Sequence, residues 1–366
     1  MLNKIIVGVS GGVDSSVAAM LLKRQGYDVE AMFMKNWNEK SPDGSCFWET
    51  DVEDAMMVCD KLDIPLNTVD LSLKYWQKVF TNFLEEYEIG RTPNPDILCN
   101  QEVKFKAFLD HVLELGADKI ATGHYARIDA SNNQYNLLKG VDGNKDQSYF
   151  LCRLTQSQLE RSMFPIGEIE KPKVRRLATE AGLITHDKKD STGICFIGER
   201  PFRDFLSQYI PIKTGSICTL DGKVIGEHQG VQFYTLGQRQ DLGIGGVKGA
   251  KDGPWYVISK DIESNTLIVS QGHDHPLLLS RGLTAVNLRW INGKTLKTPF
   301  LCKAKTRYRQ VDQQCTIQSL DGDTGIIHFE NKQRAATPGQ YIVFYADDVC
   351  LGGGVIDSVL DQKQLI

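Results

Sequence analysis

A nine-residue segment near the start of the chain has the composition of a phosphate cradle. Gly8-Val9-Ser10-Gly11-Gly12-Val13-Asp14-Ser15-Ser16 joins an apolar run to a helical pattern. Two adjacent glycines let backbone come close to an anion, and the amides at a helix start then point at it. Ser10, Ser15 and Ser16 add hydroxyl donors, and Asp14 is the candidate ligand for a Mg²⁺ that would neutralise phosphate charge. The segment lacks the Gly-Lys-Ser/Thr ending of a Walker A loop and is not a Gly-x-Gly-x-x-Gly fingerprint. A tight strand-to-helix turn without ligand accounts for the common Gly-Gly pair better than for Ser-Gly-Gly-x-Asp-Ser.

Two cysteines stand in contexts that suit sulfur chemistry. In Asn94-Pro95-Asp96-Ile97-Leu98-Cys99-Asn100, Pro95 disfavours helix through Asn94 and Asp96 is placed to cap the helix that follows. Cys99 then falls in the first turn, where the helix dipole favours thiolate. In Ser191-Thr192-Gly193-Ile194-Cys195-Phe196-Ile197-Gly198, glycines on both sides of Cys195 suggest a turned or mobile loop, suited to a thiol that receives cargo from outside. For both the alternative is a buried structural cysteine, the common fate of free thiols. Cys59 and Cys152 read as core.

The loop resembles the pyrophosphate loop of the N-type ATP pyrophosphatases, which cleave ATP between the α and β phosphates and adenylate a carbonyl oxygen. Loop and cysteine motifs together resemble the family of bacterial tRNA-specific 2-thiouridylases. Gly123-His124-Tyr125-Ala126-Arg127, Lys145-Asp146-Gln147-Ser148-Tyr149, Arg307-Tyr308-Arg309 and Pro338-Gly339-Gln340 follow in the family's order, so the resemblance spans nearly the whole chain. It implies ATP bound by Gly8, Val9, Ser10, Gly11, Gly12, Val13, Asp14, Ser15, Met34 and Gly123. It implies a target uracil held by Asn94, Pro95 and Asp96, and Asp96 is then the candidate general acid/base on the base edge. His124, Lys145, Asp146, Gln147, Arg307, Tyr308 and Gln340 would contact tRNA. A carbonyl oxygen does not leave as oxide; adenylation makes it leave as AMP. A persulfide on Cys195 would then deliver sulfur at C2 of the wobble uridine, with Cys99 as nucleophile and a Cys99–Cys195 disulfide to be reduced afterwards. The tRNAs expected are those for Lys, Glu and Gln, the sulfur donor a protein persulfide, and the cofactors ATP and Mg²⁺.

The elements that must position these residues divide the chain by pattern. Over the first two hundred residues strands alternate with helices: strands at 4–9, 28–34, 66–71 and 119–122, helices at 15–25, 73–87 and 99–115. Thr50 with Glu53 reads as a capping box for a helix ending at Leu62. Such alternation predicts a parallel sheet covered on both faces, with ligands beyond the carboxyl ends of the strands. Further helical patterns cover 154–162, 173–182 and 202–209. After about residue 210 short alternating runs and turns such as Asp221-Gly222 and Asp321-Gly322 take over. The fold expected is α/β: an N-terminal parallel-sheet nucleotide domain (1–205), a small β-rich central domain (206–280) and a C-terminal β-barrel domain (281–366) that contacts tRNA.

Bulk composition bounds the alternatives. The chain has 366 residues, 41% of them hydrophobic, room for two or three domains with their own cores. No basic n-region precedes an apolar stretch, and no run reaches the ~18 apolar residues of a membrane helix. Nine cysteines without a Cys-x-x-Cys pair argue against a disulfide framework or zinc ribbon, and the reducing cytosol is the expected compartment. A net charge of -4 argues against bulk electrostatic binding of nucleic acid. Residues 281–366 are the more basic part, with 11 Lys and Arg against 8 Asp and Glu. Three rival readings stay open: an ATP-dependent synthetase acting on a small molecule, a non-catalytic nucleotide-sensing RNA binder, and a sulfur transferase built on an iron–sulfur cluster.

Overall fold

Ile5-Ile6-Val7-Gly8-Val9 is apolar or small at every position, the pattern of a strand covered on both faces. In the computed structural model it is the middle strand of a parallel sheet, with Ile5, Ile6 and Val7 fully buried. The structure describes residues 3–38, 46, 48–131, 134–190, 202–247, 249–250 and 252–360. Cys195 and the rest of 191–198 therefore lie outside the described residues.

The N-terminal half runs β1 (Lys4–Val9), α1 (Val13–Arg24), β2 (Asp28–Lys35), α2 (Glu49–Leu62), β3 (Leu66–Asp70), α3 (72–88), α4 (95–114) and β4 (Lys119–Ala121). A hairpin of β5 (Ala126–Ser131) and β6 (Gln134–Lys139) follows, then α5 (Gln156–Glu160), β7 (Ser162–Met163), α6 (Lys171–Glu180) and α7 (Phe202–Leu206). The parallel sheet has the order β3-β2-β1-β4-β7, so the chain leaves β1 toward one edge and returns to its other side as β4. That reversal is the topological switch point at which open α/β sheets take their ligands. The α2 expectation needs one correction. The helix begins at Glu49 with Trp48 at its N-cap and no side-chain cap; Thr50 already lies inside the first turn, so Thr50 and Glu53 form no capping box.

The β-rich half contains β8 (Gly215–Cys218), β9 (Val224–His228), β10 (Trp255–Asp261) and β11 (Thr266–Gln271), a four-stranded sheet in the order β10-β11-β8-β9. Its core is Ile217, Val231, Tyr234, Val257, Leu267 and Val269. Then come β12 (Leu279–Trp290), β13 (Phe300–Lys305), β14 (Gln313–Asp321), β15 (Thr324–Arg334), β16 (Tyr341–Ala346) and β17 (Val349–Leu360). Their order is β12-β15-β14-β13-β16-β17, and β12 pairs with β17 as well, which closes a six-stranded barrel.

Two barrel strands escape sequence reading, and the reason is physical. β17 carries Gly352-Gly353-Gly354, a composition that normally weakens a strand. Here the glycines are where strands crowd together. A Cβ on Gly352 would sit 2.1 Å from the Arg289 carbonyl oxygen, and on Gly353 2.5 Å from that of Ile342. β12 mixes apolar residues with Ser280, Arg281, Thr284, Asn287 and Arg289 and keeps no regular alternation. The hairpin β5–β6 is a second surprise: it leaves the N-terminal half and pairs through Leu137 and Leu138 with Cys350 and Val349 of β17. The buried residues of this seam, Leu137, Tyr149, Cys152, Tyr341, Val343 and Cys350, belong to the same core as Phe80, Cys99 and Phe105. Cys59 and Cys152 are core as expected, and burial pushes their thiols up to about 11 and about 12.

Gly352 has φ +141, outside the range of most side chains, in addition to its missing space. Gly352→Ala is expected to destabilise the barrel by about 2 kcal/mol or more, read as a lower midpoint in urea unfolding with little change in the slope.

Candidate active site

The glycine-serine loop, Met34 and Gly123, expected around the nucleotide, converge at the switch point. The loop follows β1, Met34 ends the buried stretch of β2, and Gly123 comes two residues after β4. A Cβ on Gly123 would lie 2.7 Å from Asp14 C and Ser15 N, so β4 backs directly onto the loop. A Cβ on Gly8 would meet Met34 Cε at 3.1 Å. Gly11 has φ +68, and a Cβ there would be 2.3 Å from the Asp51 carbonyl oxygen at the start of α2.

The loop holds its own shape. Ser10 N donates to Ser15 Oγ (3.2 Å), Ser15 Oγ to Gly12 O (3.2 Å), and Ser16 Oγ to Gly12 O (2.8 Å). Thr185 Oγ1 donates to Ser16 Oγ at 3.1 Å, buried. Gly12 is the N-cap of α1 and offers no side chain. The first-turn N–H groups of α1 thus have no intrahelical partner, which leaves a positive helix end open to an anion.

Asp14 is not a solitary carboxylate. Lys171 Nζ lies 2.8 Å from each of its oxygens, and Tyr125 OH donates to Oδ1 at 2.7 Å. Lys171, the first residue of α6, also pairs with Asp190 at 2.7 Å. Lys145 and Arg175 hold the same Asp190 at 2.8 and 2.7 Å. Burial alone would raise the Asp190 pKa, but the hydrogen bonds from Lys145 and Lys171 and their charge outweigh it and bring the carboxyl down to about 2. Lys171, Tyr125 and Asp190 carried no signal in the sequence that marked them for this site. The pairing spans a separation of 157 residues between Asp14 and Lys171, which no local pattern encodes.

The cysteine helix differs from expectation in its cap. Asn94, not Asp96, is the N-cap of α4: its side chain accepts from Asp96 N at 3.2 Å, and Pro95 opens the helix. A proline at that position loses no hydrogen bond and has the right φ. Asp96 is therefore inside the first turn, and Cys99 lies two residues deeper than predicted, past the first turn. From Cys99 to Ala107 the helix widens to π winding, a feature often found at functional sites. Cys99 is 0% exposed and packs in the main core. Beside it, Asn100 Nδ2 donates to Phe150 O at 3.2 Å while its buried Oδ1 has no partner. Asn36, just after β2, likewise buries an unpartnered Oδ1. Neither asparagine was singled out by sequence.

The residues expected at tRNA are distributed in three settings. Asp146 is buried and accepts from Gly140 N, Ser148 N and Ser148 Oγ, the work of a turn-forming carboxylate. Gln147 Oε1 accepts from Tyr125 N at 2.9 Å. Lys145 belongs to the Asp190 cluster. Arg307 donates to Ala335 O at 2.9 Å, and Tyr308 packs on Phe150 with ring centroids 4.4 Å apart. Gln340 Nε2 donates to Thr92 O at 2.7 Å, so the barrel grips the segment that leads into Asn94.

His124 is 8% exposed, with Nδ1 2.7 Å from Thr122 Oγ1. Burial, helped by the charge of Lys104, holds its pKa well below the usual value.

Comparison with known proteins bears on the whole length. Residues 3–199 match the family described as tRNA methyl transferase HUP domain, 203–271 the tRNA methyl transferase PRC-barrel domain, and 280–356 the aminomethyltransferase beta-barrel domain. A Serratia proteamaculans (strain 568) protein named tRNA-specific 2-thiouridylase MnmA is 56% identical over 360 residues, covering 98% of each chain. One of the same name from Klebsiella pneumoniae subsp. pneumoniae is 57% identical over 358 residues, covering 98% of this chain and 97% of its own. Among solved structures, NMN synthetase from Francisella tularensis is 16% identical and covers 52% of this chain and 67% of its own. Its TM-score of 0.33 adds nothing to the assignment.

The His124 environment sets a pH dependence. The native state keeps this imidazole neutral where an unfolded histidine, with pKa about 6.5, takes up a proton. Its contribution to stability is thus fully present above about pH 6.5 and is lost as pH falls below it. NMR of the histidine side chains should show His124 neutral at pH 6, and a His124→Asn variant should lose less stability than the parent between pH 6.5 and 5.

Proposed function

Because this chain belongs to the tRNA-specific 2-thiouridylase family, we propose that it uses ATP to replace the C2 oxygen of a tRNA uridine with sulfur. The observation that carries the reading is the end-to-end likeness to relatives of that name at 56–57% identity over 98% of the chain. The open helix end at the switch point supports the ATP half. The uracil C2 oxygen attacks the α-phosphorus, pyrophosphate leaves, and the adenylated carbon becomes open to sulfur, with AMP as the second leaving group. Gly8 to Ser15, Met34 and Gly123 form the nucleotide side of the cleft.

The sulfur half is assigned to Cys195, which carries the persulfide, and Cys99, whose thiolate attacks the inner sulfur of that persulfide and breaks its S–S bond, so that the outer sulfur leaves as sulfide that displaces AMP at C2 or, where it has already displaced AMP, as the 2-thiouridine. A Cys99–Cys195 disulfide results and is reduced between turnovers. Since Cys99 is fully buried, this chemistry requires the helix start around Asn94-Pro95-Asp96 to open when the base enters. Asp96 serves there as general acid/base. The substrate is the wobble uridine, which sits in a single-stranded loop and can be splayed into a pocket; tRNAs for Lys, Glu and Gln are the ones expected. A protein persulfide in the cytoplasm supplies the sulfur. The working units are 1–205, 206–280 and 281–366.

A Mg²⁺ arriving with ATP would take an oxygen of Asp14. Among the described residues no group of three His, Cys, Asp or Glu side chains could hold a metal. One carboxylate completed by substrate phosphates is a common way to bind this ion, and the ion supplies neutralisation of phosphate charge.

Incubation with tRNA, ATP, Mg²⁺ and a persulfide donor should yield 2-thiouridine by nucleoside mass spectrometry. Cys99→Ser and Cys195→Ser should each abolish the product while leaving ATP binding within about twofold of the parent. ATP turnover that is indifferent to RNA would instead indicate a small-molecule synthetase.

A further inference from the structure

Lys171 is 7% exposed, and its ammonium is shared between carboxylates on two separate segments. A buried ammonium is costly unless it is matched. Joining α6 to α1 does not call for one, because Val13, Val17, Val174 and Ala178 already pack there as an apolar core. Asp190 is over-supplied with cations: Lys145, Lys171 and Arg175 all lie within 2.8 Å of it. Asp142, the other carboxylate on this side, is taken up by the backbone N–H groups of Asn144 and Lys171 at 3.0 and 2.9 Å. Asp14, Lys171's second partner, is in the first turn of α1, at the helix end whose amides are open to an anion.

We propose that Lys171 is the cation that receives the pyrophosphate half of ATP, with Lys145 and Arg175 behind it, and that Asp190 stands in for that pyrophosphate when nucleotide is absent. The inference rests on the loop being an ATP site and names the residues that meet the leaving group. As the C2 oxygen bonds to the α-phosphorus, the α–β P–O bond breaks and its electron pair leaves on pyrophosphate. Lys171 transfers no proton; its fixed positive charge offsets the charge gathering on that oxygen, where preorganised electrostatics contribute most. The hydrogen bond from Tyr125 keeps Asp14 in place while the ammonium shifts from carboxylate to phosphate.

The test is calorimetric titration of the full chain with sodium pyrophosphate, with AMP and with ATP. Lys171→Met should weaken pyrophosphate binding at least about tenfold and leave AMP within about twofold. Lys171→Arg, which keeps the charge, should recover most of the loss. Asp190→Asn should tighten pyrophosphate binding, a gain that damage to the fold cannot produce. Unchanged or weakened pyrophosphate binding in Asp190→Asn, or parallel loss of AMP and pyrophosphate in Lys171→Met, would overturn the assignment and leave Lys171 a fastening between helices. A parent protein that binds none of the three ligands would instead remove the ATP reading itself, and this assignment with it.

Discussion

Around the first turn of α1 backbone comes closer at two places than a side chain would allow. The Asp51 carbonyl faces Gly11, and the loop's own Asp14 and Ser15 backbone faces Gly123, while the Met34 side chain packs against Gly8. This crowding excludes Cβ atoms and leaves peptide groups as the lining. A surface made of N–H groups at a helix start is electropositive without carrying a formal charge. It also needs little reorganisation when an anion arrives, because the Ser10, Ser15 and Ser16 hydroxyls already bind the loop to itself. The carboxylate–ammonium cluster of Asp14, Lys171 and Asp190 lies beside this patch and supplies the formal charges that the backbone lacks.

The barrel is part of the same machine rather than an appendage. Arg153, buried in the N-terminal half, donates to Gln101 Oε1 in α4 at 3.0 Å and also reaches Asn287 O of β12. Gln340 holds Thr92 O, and Thr92 N in turn donates to Pro338 O at 3.0 Å. A Cβ on Gly339 would lie 2.9 Å from Thr92 N, so the barrel presses backbone against backbone just before Asn94. The segment that carries Pro95, Asp96 and Cys99 is thus set by contacts from residues almost 250 positions later. The start of the cysteine helix is thereby tied to the barrel, and Cys99 behind it is fully buried.

Several residues chosen by resemblance do their visible work inside the protein. Asp146 folds its own turn, Gln147 pins Tyr125, and His124 is an uncharged core group. Lys145 and Tyr308 are less deeply buried than Asp146 and His124. Tyr308 OH reaches the Lys145 carbonyl at 3.4 Å, so the two expected contact regions, far apart in the chain, are neighbours in space.

What the sequence determined alone was whatever depends on near neighbours in the chain. The apolar run of β1, the Gly-Gly turn, the alternation of strands and helices, and the change to strands and turns after about residue 210 are all local, and each reappears in the fold, although β12, β15 and β17 grow to 12, 11 and 12 residues once they are paired in the barrel. Tertiary structure decided the rest. A capping preference could not choose between Asn94 and Asp96, because both are good caps and Pro95 fits only after Asn94. The glycines of β17 are poor strand formers by type, and only the close approach of Arg289 and Ile342 gives them a place in one. The β5–β6 hairpin bears no mark of its partner strand. Lys171 is one of many lysines in the sequence; it becomes singular only when the parallel sheet brings α6 beside α1 and its ammonium meets Asp14. Charge pairing at 2.8 Å is a property of distance in space, and distance in space is what a local pattern does not contain.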